Sequence, residues 1–160
     1  MSLPGFWGDL RAGCETIPRQ NAVDLRWGEP VPDLVLVTDR RKLTIVMRNL
    51  IGNALKFTER GWVRVEAETA ESAVVLRVQD SGIGIRPDEQ ARIFEMYRQA
   101  DSSDTRRYGG TGLGLHIARR FVEQLGGTIT LESALGQGST FTITLPGGAN
   151  APTADSAAAP

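Results

Sequence analysis

The 160-residue chain holds a single cysteine, Cys14, so no disulfide can form within it and no metal cluster is spelled; a reducing, cytosolic setting fits. It also holds a single histidine, His116. Long apolar runs are missing: the longest aliphatic stretches, such as LVLV at 34–37, fall far short of the roughly 20 residues a membrane helix needs. The N-terminus lacks a basic segment followed by an apolar one, so no secretory leader is expected. Neither sign of charge is in excess, the formal net charge being -1, and nothing marks the chain as a binder of nucleic acid or anionic lipid. What remains is an ordinary globular composition, 41% hydrophobic and 23% charged, of a length that suits one domain around one core.

Periodicity orders the elements. Residues 1–20 are weakly periodic and are broken by Pro4, Gly5, Gly8, Gly13 and Pro18, which predicts a short or partial helix and a linker. AVDLRW (22–27) and LVLVT (34–38) read as strands. Asp39 is placed to cap a helix over about 40–57, where Leu43, Val46, Met47, Leu50, Ala54 and Phe57 share one apolar face. WVRVEAET (62–69) and AVVLRVQD (73–80) predict a hairpin, and 86–97 a helix with Pro87 in its first turn. A polar, glycine-rich loop (98–110) precedes a helix over 111–125, and 128–133 and 139–146 form a last strand pair. Residues 147–160 have no apolar face and read as a disordered tail. The order predicts an α/β (α+β) fold: a two-layer sandwich with helices on one face of a mixed, mainly antiparallel sheet.

Four stretches carry candidate chemistry. On the long helix, Asn49 and Asn53 are four residues apart and Lys56 is three further on, so two amides and an ammonium share a face away from the apolar stripe. That set suits magnesium and a triphosphate, since magnesium takes few protein oxygens alongside phosphate oxygens. Asp80 ends an apolar strand, where its carboxylate is able to accept from the exocyclic amine of a purine, and Gly82 and Gly84 allow close approach of a flat ligand. Gly109, Gly110, Gly112 and Gly114 surround Thr111 at a helix start, where unpaired amides attract phosphate, with Arg106 and Arg107 just before. In GQGSTF (136–141), Thr140 offers a hydroxyl. Each stretch also has a plain structural reading: a solvated helix face, an Asp-initiated turn, a flexible linker, a β-branched strand residue. His116 groups with Arg119, Arg120 and Glu123 on the polar side of its helix and reads as a solvent-facing residue, not a phosphoacceptor.

Taken together, NLIGNALKFT (49–58), DSGIGI (80–85), IFEMYRQADSSDTRRYGGTGLGL (93–115) and GQGSTF (136–141) closely resemble the catalytic, ATP-binding domain of bacterial sensor histidine kinases, in the GHKL superfamily. The resemblance spans roughly residues 22–146 and implies that family's Bergerat-type sandwich, with residues 1–21 as a linker or the end of an upstream helical hairpin. It implies Asn53 as the magnesium ligand, Asn49 in support or on phosphate, Lys56 on the phosphates, and Asp80 on the adenine amine. Gly82, Gly84 and Ile85 would line the base, Phe94 would anchor the start of the ATP lid, and Thr140 would stand near the adenine. The amides of Gly110, Thr111, Gly112, Leu113, Gly114 and Leu115 would cradle the phosphates, and Arg106 and Arg107 would neutralise charge.

The activity implied is transfer of the γ-phosphoryl group of ATP to a histidine on a dimerisation hairpin outside this chain, for relay to the receiver domain of a response regulator. The parent would be a homodimer through that hairpin, with this domain in the cytoplasm. Two other readings stand beside it: a nucleotide-binding module without catalysis, and an anti-sigma-type protein-serine kinase on the same fold. Three departures from the pattern matter. Ile45 stands where the superfamily usually has an acid or amide, so no proton acceptor for water is expected there. Tyr97 replaces a common phenylalanine, and the phosphoacceptor hairpin is absent from the chain.

Overall fold

The computed structural model describes residues 1–19, 22–95 and 114–147. The elements run α1 (Leu3–Cys14), β1 (Val23–Trp27), α2 (Arg40–Lys56), β2 (Gly61–Ala70), β3 (Ala73–Asp80), α3 (Pro87–Gln90), α4 (Gly114–Gln124), β4 (Thr128–Ala134) and β5 (Gly138–Pro146). The five strands form one sheet in the order β1-β2-β3-β5-β4. β1 runs parallel to β2 and the other pairs are antiparallel, so the sheet is mixed and mainly antiparallel, as the pattern predicts.

Alternation along the strands separates two faces. Val63, Val65, Val74, Leu76, Val78, Phe141, Ile143 and Leu145 are buried in the same core as the apolar sides of α1, α2 and α4. The opposite face carries Trp62, Arg64, Arg77, Gln79, Thr140, Thr142 and Thr144, with the guanidiniums of Arg26 and Arg64 stacked near the Trp62 ring. α2 forms as its sequence dictates: Asp39 Oδ1 accepts from the Lys42 amide at 3.1 Å, and Leu43, Val46, Met47, Leu50 and Ala54 are buried. Among the described residues no helix is long and apolar enough to cross a membrane.

Three stretches differ from the pattern reading. Residues 3–14 form a full helix, α1, whose Leu3, Phe6, Trp7, Leu10 and Cys14 join the common core; burial outweighs the helix-breaking glycines. Ser2 caps it and Pro4 sits in its first turn, where a missing amide hydrogen costs nothing. The stretch 34–38 is not a sheet strand. It pairs instead with the chain start, through a bridge between Ser2 and Val35 and amide bonds from Leu3 to the Leu34 carbonyl and from Leu36 to the Met1 carbonyl, both 2.8 Å. Of the helix expected over 86–97, the described residues, 86–95, are α-helical at Pro87–Gln90. Beyond it the Arg92 and Glu95 amides bond three residues back, at 2.9 Å, in a run of turns that carries Ile93 into the core. Of the tail, Gly147 is described and donates to the Ser72 carbonyl; residues 148–160 lie outside the described residues.

Candidate functional site

β3 delivers Asp80 to the inner face at the end of a buried strand. The residue is only 7% exposed. Its carboxylate accepts from the Gly82 amide at 2.9 Å and from a backbone amide at Ser139, but burial outweighs both and pushes its pKa up to about 6. A carboxylate desolvated in this way holds unspent capacity to accept.

The loop after Asp80 is built by close backbone approach. A Cβ on Gly82 would sit 2.5 Å from the Phe57 carbonyl oxygen, 2.8 Å from Thr58 Oγ1 and 2.9 Å from Asp80 Oδ1. One point therefore lies within reach of the end of α2, the Thr58 hydroxyl and the Asp80 carboxylate, and the Ile83 amide also donates to the Phe57 carbonyl. Thr58 is fully buried, and its Oγ1 has no partner among the described residues. Buried hydroxyls are normally satisfied, so an orphan one beside a desolvated acid fits a polar ligand edge such as that of a purine. Gly84, at φ 74°, packs against the β4–β5 turn, where a Cβ would fall on the Ala134 carbonyl. Its role here is to let two backbones meet. Ile85 is half-buried; its amide donates to Ser133 Oγ at 2.8 Å, and its carbonyl accepts from Gln90 Nε2 at 2.8 Å.

The other end of the site is the Asn face of α2. Asn49, Asn53 and Lys56 are all half-buried on that helix. The start of α4 lies against it: a Cβ on Gly114 would sit 3.3 Å from Asn49 Oδ1. Gly114, from the end of the glycine stretch, is thus brought to Asn49, while Leu115 packs against the core. Residues Gly110, Thr111, Gly112 and Leu113, with Arg106 and Arg107, lie outside the described residues. Ile45, four residues before Asn49, is 38% exposed. No group of three or more His, Cys, Asp or Glu side chains suited to a metal occurs among the described residues, so the magnesium reading rests on side-chain amides.

Register corrects one expected neighbour. Asp80 pairs with Ser139, while Thr140 pairs with Gln79. Successive side chains point to opposite faces, so the hydroxyl beside Asp80 is that of buried Ser139, and Thr140 stands on the outer face. Ser139 Oγ meets Ser133 Oγ at 2.8 Å, and Ser133 also donates to the Gly138 carbonyl at 2.9 Å. Thr58, Ser133, Ser139 and Gln90 were not singled out by spacing; parity along β5 from Phe141 is the signal that points to Ser139. Phe94 is half-buried and meets the Phe141 ring edge-on at 6.1 Å, next to this network. His116 departs from the solvent-facing expectation: it is half-buried, with Nδ1 3.2 Å from the Phe94 carbonyl.

Residues 38–149, more than half of the chain, match the family model described as histidine kinase-, DNA gyrase B-, and HSP90-like ATPase. The chain is 50% identical to the sensor histidine kinase AruS of Pseudomonas aeruginosa over 146 residues, which is 88% of this chain and 15% of that protein. It is 42% identical to the signal transduction histidine-protein kinase BarA of Escherichia coli over 116 residues, 69% of this chain and 12% of that protein. The chain therefore spans only a small part of the curated relatives it matches. In structure it resembles full-length ShkA in complex with AMPPNP, with a TM-score of 0.77 and 33% identity over 92% of this chain and 31% of that one. The nucleotide-free catalytic domain of the histidine kinase ThkA gives a TM-score of 0.76 and 27% identity over 92% of this chain and 93% of that one. The chain belongs to the histidine kinase-, DNA gyrase B-, and HSP90-like ATPase family, and within it to the ATP-binding catalytic domains of sensor histidine kinases.

Proposed function

We propose that this chain binds ATP with magnesium and transfers the γ-phosphoryl group to a histidine imidazole on a helical hairpin elsewhere in a homodimeric parent, from which the receiver domain of a response regulator takes it. The setting is cytoplasmic. Residues 22–146 make up the catalytic domain proper, with α1 packed into its core as part of the same unit.

One observation carries the reading. A desolvated strand-end acid lies beside an orphan buried hydroxyl, and the same helix end leads back to an amide pair with a helix start against it. Those spacings suit a purine at one end and phosphates at the other. Asp80 accepts the adenine amine, with the Thr58 hydroxyl at hand for the same edge. Asn53, supported by Asn49, offers the oxygen for magnesium, and Lys56 meets the phosphates. The amides of Gly110 to Leu115 surround the phosphates, and Arg106 and Arg107 offset developing charge. When bound, magnesium neutralises charge on the phosphates. In the transfer, an N–P bond forms and the bond from the γ-phosphorus to its bridging oxygen breaks. ADP leaves with that electron pair, and the imidazolium sheds its remaining ring proton to water. Neutral imidazole is already nucleophilic, so the domain supplies position and charge and needs no base of its own.

The test joins the chain to a matching hairpin domain and radiolabelled ATP. Acid-labile label on the hairpin histidine is the expected result, lost in Asn53→Ala. ATP binding without any transfer would favour the second reading, a module that signals by binding alone, to which apolar Ile45 lends support. Acid-stable phosphoserine on a partner would favour a serine kinase.

A further inference from the structure

His116 takes no part in that transfer, yet its ring is engaged. Nδ1 lies 3.2 Å from the Phe94 carbonyl oxygen. A carbonyl only accepts, so Nδ1 carries a proton, and the ring is the Nδ1–H tautomer or the imidazolium. One turn further along α4, the Arg119 guanidinium lies 5.6 Å from the centre of the Phe94 ring. Phe94 in turn meets Phe141, which sits on β5 two residues past Ser139, the strand partner of Asp80.

The same turn of α4 has a second neighbour. Gly114 lies against Asn49 Oδ1 of α2. Residues two apart on a helix are about 200° apart around its axis. Gly114 and His116 therefore grip different sides of one turn: the first touches the amide face, and the second holds the segment that carries Phe94. Leu115, Ala118 and Val122 seat the apolar side of α4 on the core, whereas Gly114 meets the amide face with no side chain to interlock. The imidazole contact adds a polar restraint to that apolar seat, at the segment that carries Phe94.

We propose that His116 is a positioning residue: its Nδ1–H bond to the Phe94 carbonyl helps to fix the first turn of α4, so that Gly114 stays beside Asn49, where the nucleotide reading puts the phosphates. The proposal rests on that reading. It also accounts for a histidine at this place without making it a phosphoacceptor.

Isosteres test it. An asparagine amide nitrogen lies close to where histidine Nδ1 sits, whereas a glutamine amide nitrogen lies nearer Nε2. Magnesium-ATP affinity by calorimetry and adenosine affinity by protein NMR at millimolar ligand are measured for the unmodified chain, His116→Ala, His116→Asn and His116→Gln. His116→Ala is expected to weaken ATP about three- to tenfold, the usual effect of one lost hydrogen bond, and to leave adenosine unchanged. His116→Asn should restore most of the ATP affinity and His116→Gln should not. Equal weakening of ATP and adenosine would mean general damage to the fold and would overturn the proposal, as would wild-type ATP affinity in His116→Ala or equal rescue by Gln. An unmodified chain that binds no ATP would instead overturn the nucleotide reading itself.

Discussion

Asp80 is a residue on which site and stability pull in opposite directions. Burial raises its pKa to about 6 in the unliganded fold, against the lowering effect of the Gly82 and Ser139 amides. A folded pKa above the unfolded one means that the fold disfavours the charged form. The group is harmless below about pH 4, where both states are protonated, and stability is lost as the pH rises through about 6. The rise corresponds to about 3 kcal/mol at neutral pH. Asp80→Asn removes the charge and keeps the shape, so the unliganded variant should melt higher than the wild type at pH 7. Its affinity for adenosine should nevertheless fall by about 1.5–3 kcal/mol, the worth of a hydrogen bond to a charged group. Wild-type affinity should also drop as the pH falls below about 6, because the acceptor is then protonated, and Asp80→Asn should show no such step. Adenosine suits this titration, having no phosphate to titrate alongside. A variant that melts lower at pH 7 would mean the carboxylate holds the fold together.

Among the elements, α1 separates what spacing reveals from what packing decides. α2 is legible because a capping Asp39, a continuous apolar stripe and a run free of proline all agree. α1 is not, because Pro4, Gly5, Gly8 and Gly13 mask a stripe that is nonetheless there at Leu3, Phe6, Trp7, Leu10 and Cys14. If α1 belongs to the core, Phe6→Ala should cost about 3–5 kcal/mol in urea unfolding, as for other buried aromatics. A loose linker would show no change. The stretch 34–38 shows another limit: its alternation correctly announces extended backbone with Leu34 and Leu36 buried, but alternation does not say which segment lies across from it. The reading of the sequence holds for helix faces: Asn49, Asn53 and Lys56 share a half-buried side of α2, as their spacing predicts. It slipped by one residue on β5, where Ser139 and not Thr140 faces Asp80, because parity alone assigns a side chain to a face. Thr58 and Gln90 escaped because their surroundings come from residues distant in sequence: Thr58 lies against Gly82, and the Gln90 amide reaches the Ser133 carbonyl at 2.9 Å.

At the scale of the whole molecule, the proposed acceptor is not part of the chain. A domain that holds ATP until a hairpin histidine arrives must keep it from water in the meantime. Ile45 bears on this. It lies on α2 one turn before Asn49, 38% exposed, and offers only methyl and methylene groups. The hydroxyl next to it, on Thr44, already donates to the Arg40 carbonyl at 2.8 Å. Neither side chain is equipped to take a proton from an attacking water, whereas an incoming imidazole needs no such help. The unmodified chain should therefore hydrolyse ATP slowly in the absence of the hairpin. Ile45→Glu supplies a carboxylate on the Asn face and should raise steady hydrolysis about tenfold or more, with magnesium-ATP affinity within about threefold of the wild type. Phosphate release assays on the isolated chain, alongside transfer assays with the hairpin, read the two fates separately. If hydrolysis stays at the wild-type level in Ile45→Glu while binding is intact, then water is kept out by the surroundings of the phosphates and not by the missing base, and residue 45 has no part in choosing between water and imidazole.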